Sequence, residues 1–283
     1  MNNNATASNS LKIAVAGLTV KLLCEDAALL NVLVQRYRDF VSERPAHLEA
    51  SVWVTGRQRS SSLLDTGVKF EQSVLRFTAA GYEGFIDARA GRAELHLSSH
   101  QPVEEIEYFL RIIYALLAFD NQGLLFHAAG IVRADQAYLF FGHSGAGKTT
   151  AARVSAGHLV LNDDLVLLIP EEAGDGSNTA WMVYGTPFWN PSQVKPASQG
   201  AQAAGLFRLV QDERVFIEPM RKGYALAELI SNVPVIPDDP DRNDDLIVRC
   251  LDLLGSLPAY RLHFLPDDSF WRVIAAADRG GNS

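Results

Sequence analysis

The chain has only two cysteines, Cys24 and Cys250, among 283 residues. A pair so far apart gives no disulfide framework and fits a reducing compartment. It has no excess of positive charge either. Twenty-five Lys and Arg stand against 33 Asp and Glu, a net charge of −8, and no basic stripe interrupts that balance. Nucleic acid is therefore excluded as an expected partner. Long apolar runs are missing too. The longest candidate, 109–119, is broken by Arg111 and is too short to cross a bilayer. Residues 1–10 are polar, without a basic segment or an apolar core, so no signal peptide is expected and no membrane is implied. Internal repeats are absent, and low complexity is confined to the termini. What is abundant is apolar residues, 48% of the chain, enough for one large core or two modest ones. These features predict a cytoplasmic protein with a disordered start at 1–10.

One segment carries specific chemistry. Gly142-His143-Ser144-Gly145-Ala146-Gly147-Lys148-Thr149 fits the phosphate-binding pattern G-x-x-x-x-G-K-[ST] in full. Its glycines let successive backbone N–H groups converge on an anion. A following helix adds the positive end of its dipole. Lys148 then reaches the β- and γ-phosphates, Thr149 offers a hydroxyl to Mg²⁺, and Gly142, Ser144, Gly145, Ala146, Gly147 and Thr150 complete the nucleotide cradle. The flanks agree with this. Residues 137–141 read as a buried strand feeding the loop. Residues 150–156 read as a helix, with Gly157 as its stop. His143 occupies a variable position of the loop and is expected to face solvent.

A nucleotide–Mg²⁺ site needs a carboxylate at the end of a neighbouring strand. Asp163-Asp164 ends the strand 158–161 that follows the loop helix, and the return path puts the pair beside the phosphates. One carboxylate would hold Mg²⁺ while the other takes a proton from an attacking hydroxyl, and spacing does not say which does which. The alternative, a pair that caps a turn, has to meet the cost of two carboxylates in an apolar run. His127 interrupts the apolar strand at 124–132; it either faces the γ-phosphate and acceptor or is a satisfied structural histidine. Lys195, Arg208 and Arg221 are each candidates for neutralising the transferring charge. The run Asp238, Asp239, Asp241, Asp244 and Asp245 reads as a solvated face favouring a helix N-terminus, not as a metal site.

The chain divides near residue 120. In 11–120, strands at 11–17 and 18–24 precede a helix capped by Asp26 and running to about residue 41, with Leu30, Leu33, Val34, Tyr37 and Val41 inward. Antiparallel strands at 47–54, 73–77 and 93–97 follow, with an exposed loop at 57–66. A helix at 103–119 packs one face through Ile106, Leu110, Ile113 and Leu117. In 121–283, strands are expected at 124–132, 137–141, 158–161, 165–169, 181–184, 206–210, 215–219 and 260–265. Helices are expected at 224–230, 244–254 and 267–277.

His127-Ala128-Ala129, the loop 142–150 and Leu161-Asn162-Asp163-Asp164 together resemble the catalytic domain of the HPr kinase/phosphorylase family over roughly residues 120–235. The family's nucleotide fold is shared with the ATP-dependent phosphoenolpyruvate carboxykinases. The chain is more similar still to HPr-kinase-like proteins of bacterial biosynthetic gene clusters, including kinases of lasso-peptide precursors, which resemble it at Gly185-Thr186-Pro187-Phe188. The Glu-Ile-Arg-Gly-Leu segment that bifunctional members carry after the double aspartate is missing here, with Pro187-Phe188-Trp189 in the comparable stretch. The resemblance implies an α/β fold: a mixed-sheet P-loop nucleotide-binding core of that type with a smaller α+β N-terminal part. It implies a Mg-ATP-dependent phosphotransferase acting on a hydroxyl, serine above all, of a small protein or peptide. ATP and Mg²⁺ are the implied cofactors, and Lys148, Asp163, Asp164 and His127 the implied catalytic residues. A nucleotide-dependent binding or regulatory module and a small-molecule reaction of carboxykinase type remain as alternatives. The acceptor, oligomeric state and nucleobase preference are left open.

Overall fold

The computed structural model describes residues 9–54, 67–79, 81–98, 102–172, 179–189 and 193–280. The fold is mixed α/β, with two mixed sheets and six α-helices among these residues. The chain forms two compact units, Met1–Asp120 and Asn121–Ser283. The expected loop at 57–66 and most of the expected disordered start lie outside the described residues, and Ser10 already belongs to a strand.

In the first unit, β1 (Ser10–Val15) and β2 (Leu18–Cys24) form an antiparallel hairpin turned at Ala16-Gly17. Asp26 caps α1 (Ala27–Tyr37), its carboxylate accepting from the N–H groups of Ala28 and Leu29 at 2.9 and 3.0 Å. The helix stops at Tyr37, earlier than expected. A 3₁₀ turn over Arg38–Phe40 follows, and Phe40 takes the inward place while Val41 is exposed. Then comes β3 (Leu48–Val54), β4 (Gly67–Glu71), β5 (Val74–Ala79), β6 (Tyr82–Asp87) and β7 (Arg92–Leu97), in the sheet order β1-β2-β3-β7-β6-β5-β4. The expected antiparallel arrangement fails at β3, which runs parallel to β2 and β7. The reason is α1: a helix between two neighbouring strands makes a crossover, which returns the chain in the same direction. Gly84 explains why β6 escapes a pattern search. A Cβ there would sit 2.1 Å from the Glu94 carbonyl oxygen, so close approach of strands, not alternation, sets that residue.

Helix α2 (Pro102–Asp120) begins with one inward face, but from Ile113 to Phe119 every side chain is buried. This corrects the one-faced expectation, since Ala115-Leu116-Leu117-Ala118-Phe119 offers no polar side at all. Buried Glu107 is compensated: Arg36 Nε donates to it at 2.8 Å and Arg111 Nη2 at 2.7 Å.

The second unit opens with β8 (Leu124–Arg133) and β9 (Gln136–Phe141), an antiparallel hairpin with left-handed Ala134 and Asp135 at its tip. Next are α3 (Lys148–Val154), β10 (Leu159–Asn162), β11 (Leu165–Glu172), β12 (Thr179–Gly185) and β13 (Gly200–Gln211). The chain continues through β14 (Phe216–Pro219), α4 (Lys222–Ser231), α5 (Asn243–Ser256), β15 (Ala259–Phe264) and α6 (Phe270–Gly280). β13 runs parallel to β9 and β15; the other pairings are antiparallel. On one sheet face Phe140, Phe207, Phe264, Phe270 and Trp271 interlock with Ala151 and Ala152 of α3. Each such ring contributes roughly 1.5–3 kcal/mol by leaving water, which fixes the strand that feeds the glycine-rich loop. α3 is as long as the helix expected at 150–156 but begins and ends two residues earlier. Its chain leaves helical geometry at Ser155, whose buried hydroxyl accepts the Trp271 indole N–H at 2.9 Å.

The acidic run 238–245 is not wholly a solvated face. Asp239 and Arg242 are buried and ion-paired, and Asp239 Oδ1 also accepts the Asp241 N–H at 3.1 Å. A buried carboxylate needs such a partner, and spacing within the run does not show which aspartate turns inward. Both cysteines are free and buried, and burial pushes the Cys250 thiol up to about 12. Among the described residues no helix is long and apolar enough to cross a membrane.

Candidate functional site

The site is built where β9 ends between β8 and β13. Ala128 of β8 and Arg208 of β13 both sit opposite Phe141, the last residue of β9. The loop 142–147 leaves from that point and returns into α3. Gly147 takes φ +110, and a Cβ there would lie 2.5 Å from Cζ of buried Phe264. Only glycine meets both conditions. The loop is held further by Gln211 Nε2, donating to the Gly145 carbonyl at 2.8 Å, and by the Ala146 N–H, donating to the His143 carbonyl at 3.1 Å. His143, Ser144 and Gly145 are exposed, while Gly142 and Ala146 are buried.

Lys148 curls back over the loop. Its Nζ donates to the Gly142 carbonyl at 2.9 Å and to the His143 carbonyl at 3.4 Å. Burial lowers its pKa, while the charges of Asp164 and Asp163 work in the opposite direction. The amine and the two carboxylates therefore share one electrostatic neighbourhood.

The carboxylates owe their position to strand register. β10 and β11 lie end to end along β8, with Asn162 opposite Gly130 and Leu165 opposite His127. Asp163-Asp164 occupies the bend between them. Fully buried Asn162 holds that bend. Its Oδ1 accepts from the N–H groups of Asp164 and Leu165 at 2.7 and 3.0 Å. Its Nδ2 donates to the Thr186 and Phe188 carbonyls at 3.0 and 2.9 Å. Thr186 in turn donates its hydroxyl to the Leu165 carbonyl at 2.7 Å. The Gly185–Phe188 stretch is thus the wall that clamps the carboxylate bend. Sequence reasoning assigned Asn162 no role; its signal was an amide beside two aspartates in an apolar run.

The two aspartates differ. Asp163 is buried, and burial raises its pKa; the Val194 N–H, 3.4 Å from Oδ2, and the Thr149 hydroxyl act against that rise. Its other oxygen, Oδ1, is buried and has no hydrogen-bond partner. Asp164 is more exposed, and its Oδ1 lies 3.4 Å from His127 Nδ1. The His127 backbone N–H donates to the Asn232 carbonyl at 2.8 Å, tying this end of β8 to the end of α4. Lys148, Thr149, Asp163, Asp164 and His127 are therefore brought together. Arg208 pairs with Glu228 of α4 at 3.3 Å, and Lys195 and Arg221 are exposed.

The donors fit a hard cation. An orphaned carboxylate oxygen beside a threonine hydroxyl is an all-oxygen corner, the chemistry Mg²⁺ prefers. Among the described residues no three His, Cys, Asp or Glu side chains form a metal cage. Oxygens from water or a bound phosphate would have to complete the shell, as is usual for Mg²⁺.

No family model matches the sequence. No curated protein matches it. Among solved structures, the chain is similar to the Hpr(Ser) kinase/phosphatase from Coxiella burnetii, with a TM-score of 0.27 and 12% identity over 56% of this chain and 90% of that one. A likeness of that size fixes neither the fold nor the activity.

Proposed function

We propose that the chain is a Mg-ATP-dependent phosphotransferase that phosphorylates a hydroxyl, serine above all, on a small protein or peptide. The observation that carries this reading is the buried, half-partnered carboxylate of Asp163 beside Thr149 and the glycine-rich loop. A buried charge costs stability when it lacks a partner, so a fold that keeps one is built around something that arrives later.

The roles follow from exposure and contact. The loop and Lys148 bind and orient the phosphates. Thr149 and Asp163 would hold Mg²⁺, which would supply charge neutralisation at the phosphate oxygens. Asp164, the more accessible carboxylate, receives the acceptor's hydroxyl proton as the new O–P bond forms and the bond to the departing ADP breaks. His127 is a positioning residue, because its ring lies against Asp164 and its backbone is anchored on Asn232.

The test is transfer of ³²P from γ-labelled Mg-ATP to a pool of serine-containing peptides. The expected result is labelled phosphoserine that depends on Mg²⁺ and vanishes in Lys148→Ala. Tight Mg-ATP binding with no labelled serine in any peptide would favour the nucleotide-dependent binding module instead.

A further inference from the structure

The unit Met1–Asp120 contains a cavity unconnected with any residue discussed so far as catalytic. It lies between α2 and the strands β5, β6 and β7, and its volume is about 280 Å³. Leu95 and Phe109 form its buried floor, with Phe77 beside them. The Phe77 ring lies 5.8 Å from that of Tyr82 and 5.9 Å from that of Phe109, so three aromatic rings line one side. Tyr108, 66% exposed, stands at the mouth with Glu104 and Glu105. Among the described lining residues none is basic.

Size and charge select the occupant. Pockets for small-molecule ligands run from about 300 to 1,000 Å³, so this one is at their lower edge and suits a single large side chain. Its aromatic walls favour an apolar or aromatic group, which on entry would remove roughly 150–250 Å² from water. Exposed Glu104 favours a cation next to that group by charge. Arg111 bonds Glu107, and its guanidinium lies 5.4 Å from the centre of the Tyr108 ring. Glu104 and Glu105 also suit the first turn of α2 through its dipole, a role that needs no ligand. The cavity beside them is what that role leaves unexplained.

We propose that this cavity binds a large apolar side chain of a peptide at a position flanked by lysine or arginine. If the phosphotransferase reading holds, this peptide is the acceptor, recognised by residues other than its serine. The extension rests on that reading only for the identity of the peptide. Binding is measured without nucleotide, so its failure and the failure of phosphoryl transfer are separate results.

The experiment uses the full chain and three fluorescein-labelled heptapeptides, followed by anisotropy. One has phenylalanine between two lysines, the second has glutamates in place of the lysines, and the third has alanine in place of the phenylalanine. The lysine–phenylalanine peptide is expected to bind at least tenfold more tightly than either of the others, and less tightly as salt rises. Tyr108→Ala and Glu104→Lys should each weaken it fivefold or more. Both residues are exposed, so unchanged circular dichroism and melting should accompany the loss. Equal binding of the three peptides, no binding at millimolar protein, or binding unchanged in both variants would overturn the proposal. So would a concentration-dependent dimer of the wild type that Tyr108→Ala dissolves while no peptide binds, because the surface would then belong to a second copy.

Discussion

Replacing Asp163 by asparagine should stabilise the empty protein while disabling it. The carboxylate is buried, burial raises its pKa, and its Oδ1 has no partner. An unsatisfied buried polar group costs about 1–3 kcal/mol, and more when charged. Asparagine keeps the shape and an oxygen for the Val194 N–H and the Thr149 hydroxyl, but removes the charge. At about 2–4 °C per kcal/mol for a unit of this size, the second unit's melting transition should rise by about 2–12 °C. Lost attraction to Lys148 opposes the gain and places the expected shift in the lower half of that range. The sign also depends on pH. A carboxyl whose folded pKa is raised stabilises the native state relative to its charged form at low pH, and that advantage is lost as pH rises through the raised value. The gain from Asp163→Asn should therefore be full at neutral and alkaline pH and shrink as acid protonates the wild-type carboxyl. Ligand should reverse the order. A Mg-nucleotide analogue at a hundred times its Kd stabilises by about 2.7 kcal/mol, which the wild type should show and the variant should largely lack. Thermal unfolding of both proteins from pH 5 to 8, with and without analogue and Mg²⁺, makes the comparison. An apo variant that melts below the wild type at every pH would refute the idea of a charge held in wait for a cation.

Three further changes probe the supports of the site. Asn162→Ala strips partners from two N–H groups and two carbonyls in a fully buried place; urea unfolding should show a loss of roughly 3 kcal/mol or more. Gly147→Ala should cost about 1–3 kcal/mol from backbone strain alone and abolish nucleotide binding by calorimetry. Adding Phe264→Ala removes the 2.5 Å clash but not the strain at φ +110, so binding should stay lost. Asp239→Ala should destabilise by about 3–5 kcal/mol by leaving Arg242 buried and unpaired, and the double change Asp239→Leu with Arg242→Met should recover most of that in the same denaturation assay.

The elements carrying local signals were legible in the sequence. Asp26 is a side chain that caps, 137–141 is an apolar run that must be a strand, and the glycine-rich loop dictates its own backbone. What was not legible depends on contacts distant in sequence. β3 is parallel because α1 crosses over, β6 exists because Gly84 admits a neighbouring carbonyl, and Val41 is displaced from the core by Phe40. The candidate site divides in the same way. The residues that would touch a nucleotide announce themselves by type and spacing. Asn162, which aims them, makes its bonds to Thr186 and Phe188, more than twenty residues away. Likewise the inward turn of Asp239 among five aspartates is decided by Arg242, and spacing does not show that Asp163 is more buried than Asp164.

The most direct measurement is single-turnover transfer of ³²P from Mg-ATP to serine peptides by the wild type and Asp164→Asn, each saturated with nucleotide. Transfer should fall by about 10²–10⁴-fold in the variant, the usual weight of a general base, with nucleotide affinity changed less than about threefold, since less than 1 kcal/mol of binding would be lost. Equal rates in the two proteins, or a loss of rate explained wholly by lost nucleotide binding, would contradict the assignment of this loop and carboxylate pair as a phosphoryl-transfer site.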